Sequence, residues 1–136
     1  MSKVSIVIPC YFNELNIAET YEVLVRDVFE KRKDIEFETV FVDDGSRDKT
    51  LDELKKVQQH DSHVKIVKLS RNFGEFRAIV AGMSQATGEA IAVMSADLQD
   101  PPYLITEMIQ YWQQGEKVVI AARNKRDEPW IKNFFA

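Results

Sequence analysis

Oxygen-bearing side chains follow a short apolar segment in the second half of the chain. Residues 90–94 are apolar and long enough for a strand. Directly after them come Asp97, Gln99 and Asp100. Ligands bind beyond the carboxyl ends of strands in an open parallel sheet, so these oxygens would lie in a ligand crevice. They suit Mg²⁺ or Mn²⁺, whose coordination a bound diphosphate would complete, although Asp100 before two prolines also fits a helix N-cap.

A second acidic pair ends another apolar segment. Asp43 and Asp44 follow residues 37–42 and precede Gly45 and Ser46. A carboxylate at this place can accept a hydrogen bond from the N–H of a uracil or guanine ring, or from a ribose hydroxyl. The alternative is a turn that caps the next helix at Ser46, and one aspartate could serve each role.

Two more loops carry groups that suit a nucleotide. Near Pro9, the ring of Tyr11 could stack on a base and Glu14 could bond a ribose, although loop and helix-start roles also fit these residues. Arg71 and Asn72 could neutralise or orient a diphosphate, with a solvated surface position as the alternative for the arginine. The loops therefore predict a nucleotide site only when they are taken together.

The elements that must position these loops alternate along the chain. Apolar patterning predicts strands at 4–8, 37–42, 64–69, 90–94 and 118–121. Amphipathic helices are predicted at 14–31 with Asn13 as N-cap, from Ser46 or Asp48 onward, at 75–86 with Gly88 as C-terminal cap, and from about 104 to Gly115. Alternating strands and helices predict an α/β fold with a parallel, Rossmann-like sheet of about five strands.

Length and composition exclude several classes of protein. The 136 residues suffice for one domain, expected at 1–122, and a net charge of -4 gives no support to a nucleic-acid partner. Cys10 is the single cysteine, and no apolar run approaches the length of a membrane span, so a cytosolic type of chain is expected. The phosphate-binding glycine motifs of dehydrogenases and P-loop enzymes are missing, as is a nucleophile elbow.

Four segments in register resemble the family 2 glycosyltransferases, in the branch that transfers sugars to polyprenyl phosphate. They are Val4–Pro9 with Asn13–Glu14, Phe41–Ser46, Leu69–Gly74 and Ala96–Pro102. The resemblance implies the nucleotide-binding half of a GT-A fold. It also implies an enzyme that transfers a sugar, with inversion, from a UDP- or GDP-linked donor to a polyprenyl phosphate, with help from Mg²⁺ or Mn²⁺.

The resemblance assigns roles residue by residue. It implies that Asp97 and Gln99 reach the metal, and that Asp97 and Arg123, with Arg126, serve catalysis and the acceptor phosphate. The tail 123–136, basic and aromatic, would begin a helix on the membrane, at its cytoplasmic face, with a frayed terminus as the alternative. Binding of the nucleotide sugar is assigned to Pro9, Tyr11, Glu14, Asp43, Asp44, Ser46, Arg71, Ser95, Ala96 and Asp97.

One residue departs from the family pattern. Ser95 stands where the Asp-x-Asp metal motif has its first carboxylate, and a neutral hydroxyl is a poorer metal ligand. A catalytically weakened nucleotide-binding domain is therefore one alternative, and transfer to a polysaccharide hydroxyl is another. A receiver-like signalling module is a remote alternative, because a whole strand and helix precede Asp43. We expect the chain to be the front part of a longer enzyme and to be inactive if it is only that fragment.

Overall fold

The computed structural model describes residues 1–122 and, beyond them, the backbone of one strand at Ile131–Phe135. Four parallel strands form one sheet in the order β3-β2-β1-β4. These strands are β1 (Ser2–Cys10), β2 (Ile35–Asp43), β3 (Val64–Lys68) and β4 (Ala90–Val93). The predicted α/β class with a parallel sheet is thus confirmed.

Helices cover both faces of this sheet, as they must when both faces of its strands are apolar. They are α1 (Ile17–Leu24), which continues as a π-helical turn (Val25–Phe29), α2 (Thr50–His60), α3 (Glu75–Gln85) and α4 (Leu104–Gln113). Ile6 and Ile8 of β1 lie in a buried cluster with side chains of α1, α2 and α4. Val7 points to the other face, where it packs with β2 and with Ala78 of α3.

The fifth predicted strand exists but does not join the parallel sheet. β5 (Val118–Ala122) pairs in antiparallel fashion with β6 (Ile131–Phe135) to form a separate two-stranded sheet. The strand at 131–135 also differs from the helix that the tail was expected to begin. Ile131 and the two phenylalanines favour a strand once a partner strand offers backbone hydrogen bonds, and helical periodicity had little length in which to show itself there.

Four predicted helix caps differ from the structure. α2 begins at Thr50 after Lys49, so neither Ser46 nor Asp48 is its N-cap residue, although Asp48 Oδ1 accepts from the N–H of Thr50 at 3.0 Å. α1 begins at Ile17 rather than at 14, and Asn13 contributes its backbone carbonyl, which accepts from the N–H of Ile17 at 3.2 Å. α4 begins after Tyr103, which places Asp100 outside it. α3 ends at Gln85, so Gly88 is no cap. A Cβ at Gly88 would lie 2.6 Å from the backbone nitrogen of Ser5, and close approach is the reason that a glycine fits there.

A buried carboxylate closes the amino end of the sheet. Glu38 on β2 is 3% exposed and accepts hydrogen bonds from Ser5 Oγ at 2.6 Å and from the Thr87 backbone at 2.9 Å. Lys65 Nζ lies 2.5 Å from the same carboxylate. These hydrogen bonds and Lys65 outweigh burial and lower the pKa of Glu38 to about 2. Among the described residues, no helix has both the length and the apolar character of a membrane span.

Candidate functional site

A cavity of about 450 Å³ opens at the carboxyl edge of the sheet, a volume that suits a small-molecule ligand. It lies where the chain order reverses between β1 and β4, the usual place for a ligand in an open α/β sheet. The lining residues come from the ends of β1, β2 and β4 and from the start of α3. They are Pro9, Cys10, Tyr11, Asn13, Asp44, Asn72, Gly74, Glu75, Ser95, Ala96, Asp97 and Gln99.

Two aromatic rings stand at the end of β1. Tyr11 and Phe12 are each about half exposed, at 48% and 47%, and their rings meet edge to face at 4.4 Å. Phe12 has a φ of 53°, and the side chain of Asn13 accepts from the N–H of Tyr11 at 2.7 Å. The loop thus holds the exposed ring of Tyr11 at the cavity wall, where it offers a flat apolar face.

Cys10 also lines the cavity, but its thiol has little nucleophilic character. Burial, and secondarily the carboxylate of Asp43, raise the pKa of Cys10 well above its usual range. The thiol therefore stays protonated at neutral pH and is a packing group.

Asp44 joins the end of β2 to the loop before α3. Its carboxylate is 3% exposed and accepts hydrogen bonds from three donors. Oδ1 accepts from the N–H of Phe73 at 2.8 Å, whereas Oδ2 accepts from Asn72 Nδ2 and from the N–H of Gly74, both at 3.1 Å. Gly45 supports the same junction, because a Cβ there would lie 2.3 Å from the backbone carbon of Arg71. The carboxylate is consequently fixed in place at the cavity wall.

Several predicted ligand residues join loops together instead of lining the cavity. Asp43 is 1% exposed and accepts from the N–H of Ser46 at 3.1 Å, and Ser46 Oγ in turn accepts from the N–H of Phe12 at 3.0 Å. Glu14 accepts from the N–H of Lys49, next to the start of α2, at 3.1 Å. These three residues tie the β1 and β2 loops to each other. Their contacts therefore correspond to the turn and loop roles that the sequence offered as the alternative to ligand binding.

The end of β4 brings an unpaired hydroxyl and a carboxylate to the opposite wall. The Oγ of Ser95 is buried without a hydrogen-bond partner among the described residues. Asp97 is exposed and accepts from the amide side chain of Gln99 at 2.8 Å. Leu98 between them has a φ of 60°, a strained conformation for a branched side chain that often occurs at functional sites.

A buried residue of α1 fixes this second wall. Thr20 Oγ1 donates to the carbonyl of Ala96 at 2.6 Å, next to Asp97. The sequence did not single out Thr20, because a threonine in an amphipathic helix carries no distinctive pattern. The structure thereby adds a positioning residue that only tertiary packing reveals.

The remaining predicted residues are distributed unevenly. Arg71 is exposed outside the cavity lining, with its guanidinium 4.4 Å from the ring centre of Phe73. Arg123 and Arg126 lie outside the described residues. Gly74 and Glu75 line the cavity without having been predicted, and the positive φ of 100° at Gly74 shows why a glycine precedes α3.

The donor set at the end of β4 fits a divalent cation only in part. No group of three or more His, Cys, Asp and Glu side chains within the described residues could hold a metal ion. Asp97 offers one carboxylate and Gln99 an amide, and Ser95 adds a neutral hydroxyl. Because such ions take about six oxygen ligands, a bound diphosphate would have to provide several of them.

Comparison with known proteins supplies a family. The model of the family described as "Glycosyl transferase family 2" matches residues 5–134. The chain is 50% identical over 122 residues to the uncharacterized glycosyltransferase YkcC of Bacillus subtilis, covering 90% of this chain and 37% of that protein. It is 36% identical over 135 residues to the undecaprenyl-phosphate 4-deoxy-4-formamido-L-arabinose transferase of Proteus mirabilis, covering 97% of this chain and 40% of the relative. The chain thus spans about two fifths of the length of these relatives.

Solved structures share the fold. S. aureus TarS 1-349 in complex with UDP matches with a TM-score of 0.71 and 26% identity, over 93% of this chain and 38% of that one. The mannosyltransferase PcManGT from Pyrobaculum calidifontis, in complex with GDP-Man and Mn²⁺, matches with a TM-score of 0.76 and 19% identity. This second match covers 93% of this chain and 37% of that one, and at its low identity it shows the fold alone.

Proposed function

The chain belongs to glycosyltransferase family 2, and we propose that its protein transfers a sugar from a nucleoside diphosphate sugar to a polyprenyl phosphate, with inversion at the sugar carbon. The acceptor class is supported by the Proteus mirabilis relative, whose name places it on undecaprenyl phosphate. The observation that carries the proposal is the division of the cavity between two kinds of wall. One wall offers Tyr11 and Asp44, and the other offers Asp97 and Gln99.

The first wall suits a nucleoside. The exposed ring of Tyr11 can stack on a base, and the buried carboxylate of Asp44 can accept a hydrogen bond from its edge. The second wall lies across the cavity, where the diphosphate and the sugar would extend. The unpaired Oγ of Ser95 is then available to a hydroxyl or phosphate oxygen of the ligand.

Asp97 and Gln99 are the residues that would hold Mg²⁺ or Mn²⁺ together with the diphosphate. Such an ion supplies positive charge next to the oxygens on which negative charge develops as the nucleoside diphosphate departs. Thr20 supports this arrangement from behind by fixing the Ala96 carbonyl. The chain thereby keeps the carboxylate wall in one position while the ligand binds.

The proposed reaction needs little proton transfer. An anionic oxygen of the acceptor phosphate attacks the anomeric carbon on the side opposite the diphosphate and forms the new C–O bond. The bond from that carbon to the diphosphate oxygen breaks, and its electron pair stays on the nucleoside diphosphate. A phosphate acceptor is already ionised at neutral pH, so no general base is required. Arg123 remains our proposed partner of the acceptor phosphate, and the cytoplasmic face of a membrane remains the proposed location.

The decisive test is a transfer assay with a lipid phosphate. Radiolabelled UDP-glucose, UDP-N-acetylglucosamine and GDP-mannose are each incubated with Mn²⁺, undecaprenyl phosphate in detergent, and the complete protein that carries this sequence. We expect one donor to give a lipid-extractable product that Asp97→Asn reduces at least about 100-fold. Labelled polysaccharide without labelled lipid would favour the hydroxyl acceptor instead. Donor binding without transfer to either acceptor would identify a weakened nucleotide-binding domain, for which Ser95 is the motivating residue.

A further inference from the structure

Asp44 has a limited number of hydrogen-bonding positions left for a ligand. A carboxylate has two oxygens and about four lone-pair positions in total. Three of them are taken, one on Oδ1 by Phe73 and two on Oδ2 by Asn72 and Gly74. One position, on Oδ1, therefore remains for a group in the cavity that Asp44 lines.

Nucleobases differ in the number of donors that they present to such an acceptor. The edge of uracil carries a single N–H between two carbonyl groups. The corresponding edge of guanine carries two adjacent donors, a ring N–H and an amino group, which pair best with both oxygens of a carboxylate. On Asp44 the second of these donors would meet Oδ2, where the Asn72 and Gly74 donors already lie.

Asp44 cannot easily turn to offer its oxygens differently. The side chain is 3% exposed, and two of its three donors are backbone N–H groups of the loop before α3. The Asn72 amide also donates to the Asp44 carbonyl at 3.2 Å, which commits both of its N–H groups to this residue. Reorienting the carboxylate would break these part-buried hydrogen bonds and leave the buried Asp44 carboxylate without its partners, which is costly.

We infer that the cavity selects uracil over guanine, so that the donor of the proposed reaction is a UDP-sugar. The inference rests on the proposed function, since it assumes that a nucleotide occupies this cavity. The inference goes beyond the proposed function because family membership and the wall formed by Asp97 and Gln99 would by themselves admit either base. Asp44 then acts as a specificity-determining residue, and Asn72 acts through it.

The inference is tested by calorimetric titration of UDP, GDP and N3-methyl-UDP into the chain in the presence of Mn²⁺. N3-methyl-UDP has the uracil ring without the N–H that would donate to Asp44. We expect UDP to bind at least about tenfold more tightly than GDP and at least about tenfold more tightly than N3-methyl-UDP. Equal binding of UDP and N3-methyl-UDP, or tighter binding of GDP, would overturn the inference and leave the proposed function intact. If neither UDP nor GDP binds to the folded chain, the proposed function fails and the inference fails with it.

A variant separates base selection from general binding. Asn72→Ala removes one donor from Oδ2 and opens a position for the second donor of guanine. We expect the preference for UDP over GDP to fall severalfold in Asn72→Ala, with circular dichroism showing an unchanged fold. Gln85→Ala, at the exposed far end of α3, is the matched control and should keep the wild-type preference. An unchanged preference in Asn72→Ala would contradict the count of positions on Asp44.

Discussion

Ser95 stands where the resemblance to family 2 implies the first carboxylate of a metal motif, and its hydroxyl is buried without a hydrogen-bond partner in the described part of the chain. We predict that Ser95→Asp raises the affinity of the nucleotide-free chain for Mn²⁺ by about tenfold, because a second carboxylate beside Asp97 adds a charged oxygen ligand. Titration of Mn²⁺ followed by electron paramagnetic resonance measures this affinity. Ser95→Asn has a similar size without the charge and should bind Mn²⁺ as the wild type does. Equal affinities of all three proteins would show that the Ser95 side chain does not reach the ion.

Glu38 provides a prediction about pH at the opposite edge of the sheet. Its pKa lies at about 2 in the folded chain and at 4.5 in its ordinary state, so folding favours the ionised form. The resulting stabilisation is complete above pH 4.5 and is lost as the pH falls toward 2. Glu38→Gln should therefore cost about 1–3 kcal/mol of unfolding free energy at pH 7 and much less at pH 3. Urea denaturation at pH 7, 4.5 and 3 provides the comparison, and a cost independent of pH would contradict the assignment.

Among the elements, α3 shows how closely a helix approaches the sheet. A Cβ at Gly82 would lie 2.6 Å from Val7 Cγ1 and 2.7 Å from Val42 Cγ2, both on buried strands. Alanine is favoured over glycine in helices by about 1 kcal/mol. Overpacking a core costs about 1–3 kcal/mol and outweighs that gain here. We predict that Gly82→Ala lowers the urea midpoint, whereas Gln85→Ala on the exposed side of α3 leaves it unchanged or raises it. A more stable Gly82→Ala would mean that α3 can shift away from the sheet.

The sequence predicted the elements better than their ends and partners. The strands of the parallel sheet were found because buried apolar runs have a clear pattern, as at Val4–Ile8 within β1. The pairing partner of β5 was not predicted correctly. The amino-acid pattern of a five-residue strand is the same whether the strand pairs with β4 in the parallel sheet or with β6 outside it. Asn13 and Gly88 were misjudged as caps, since hydrogen bonds of the backbone and a close approach to Ser5 leave no trace in local composition.

The same limit applies to the site. Tyr11, Asp44 and Asp97 were predicted because strand ends meet at one edge of a parallel sheet, and they do line one cavity. Glu14 and Asp43 looked equally suitable in the sequence, but their oxygens bond backbone groups of neighbouring loops. Which acceptor faces the cavity depends on how two loops pack against each other, and that information is not local in the chain.

Taken as a whole, the molecule separates its functions between the two edges of one sheet. The carboxyl edge carries the cavity, both non-glycine residues with positive φ among those described, and the unpaired Ser95 hydroxyl. The amino edge carries Glu38 with its lysine and the hydrogen bonds to Ser5 and Thr87. Residues with strained backbone and a polar group without a partner thus lie at the carboxyl edge, where a ligand would bind. The fully hydrogen-bonded polar groups lie at the amino edge.

This separation predicts where a ligand changes the protection of the backbone. Hydrogen exchange followed by mass spectrometry, with and without UDP and Mn²⁺, should show slower exchange at 9–13, 70–75 and 94–100, because these segments form the cavity walls. The segment 86–90 at the amino edge, which holds the Thr87 and Gly88 N–H bonds, should exchange at the same rate in both states.

Ser95→Asp, Asn72→Ala and Glu38→Gln can be compared in the same experiment. In Ser95→Asp and Asn72→Ala, the slowing of exchange that ligand causes at the cavity walls should differ in size from that of the wild type. Glu38→Gln should instead speed exchange at 86–90, whether or not ligand is present. Protection that spreads equally to both edges would mean instead that the ligand stabilises the whole fold without a defined site at the carboxyl edge.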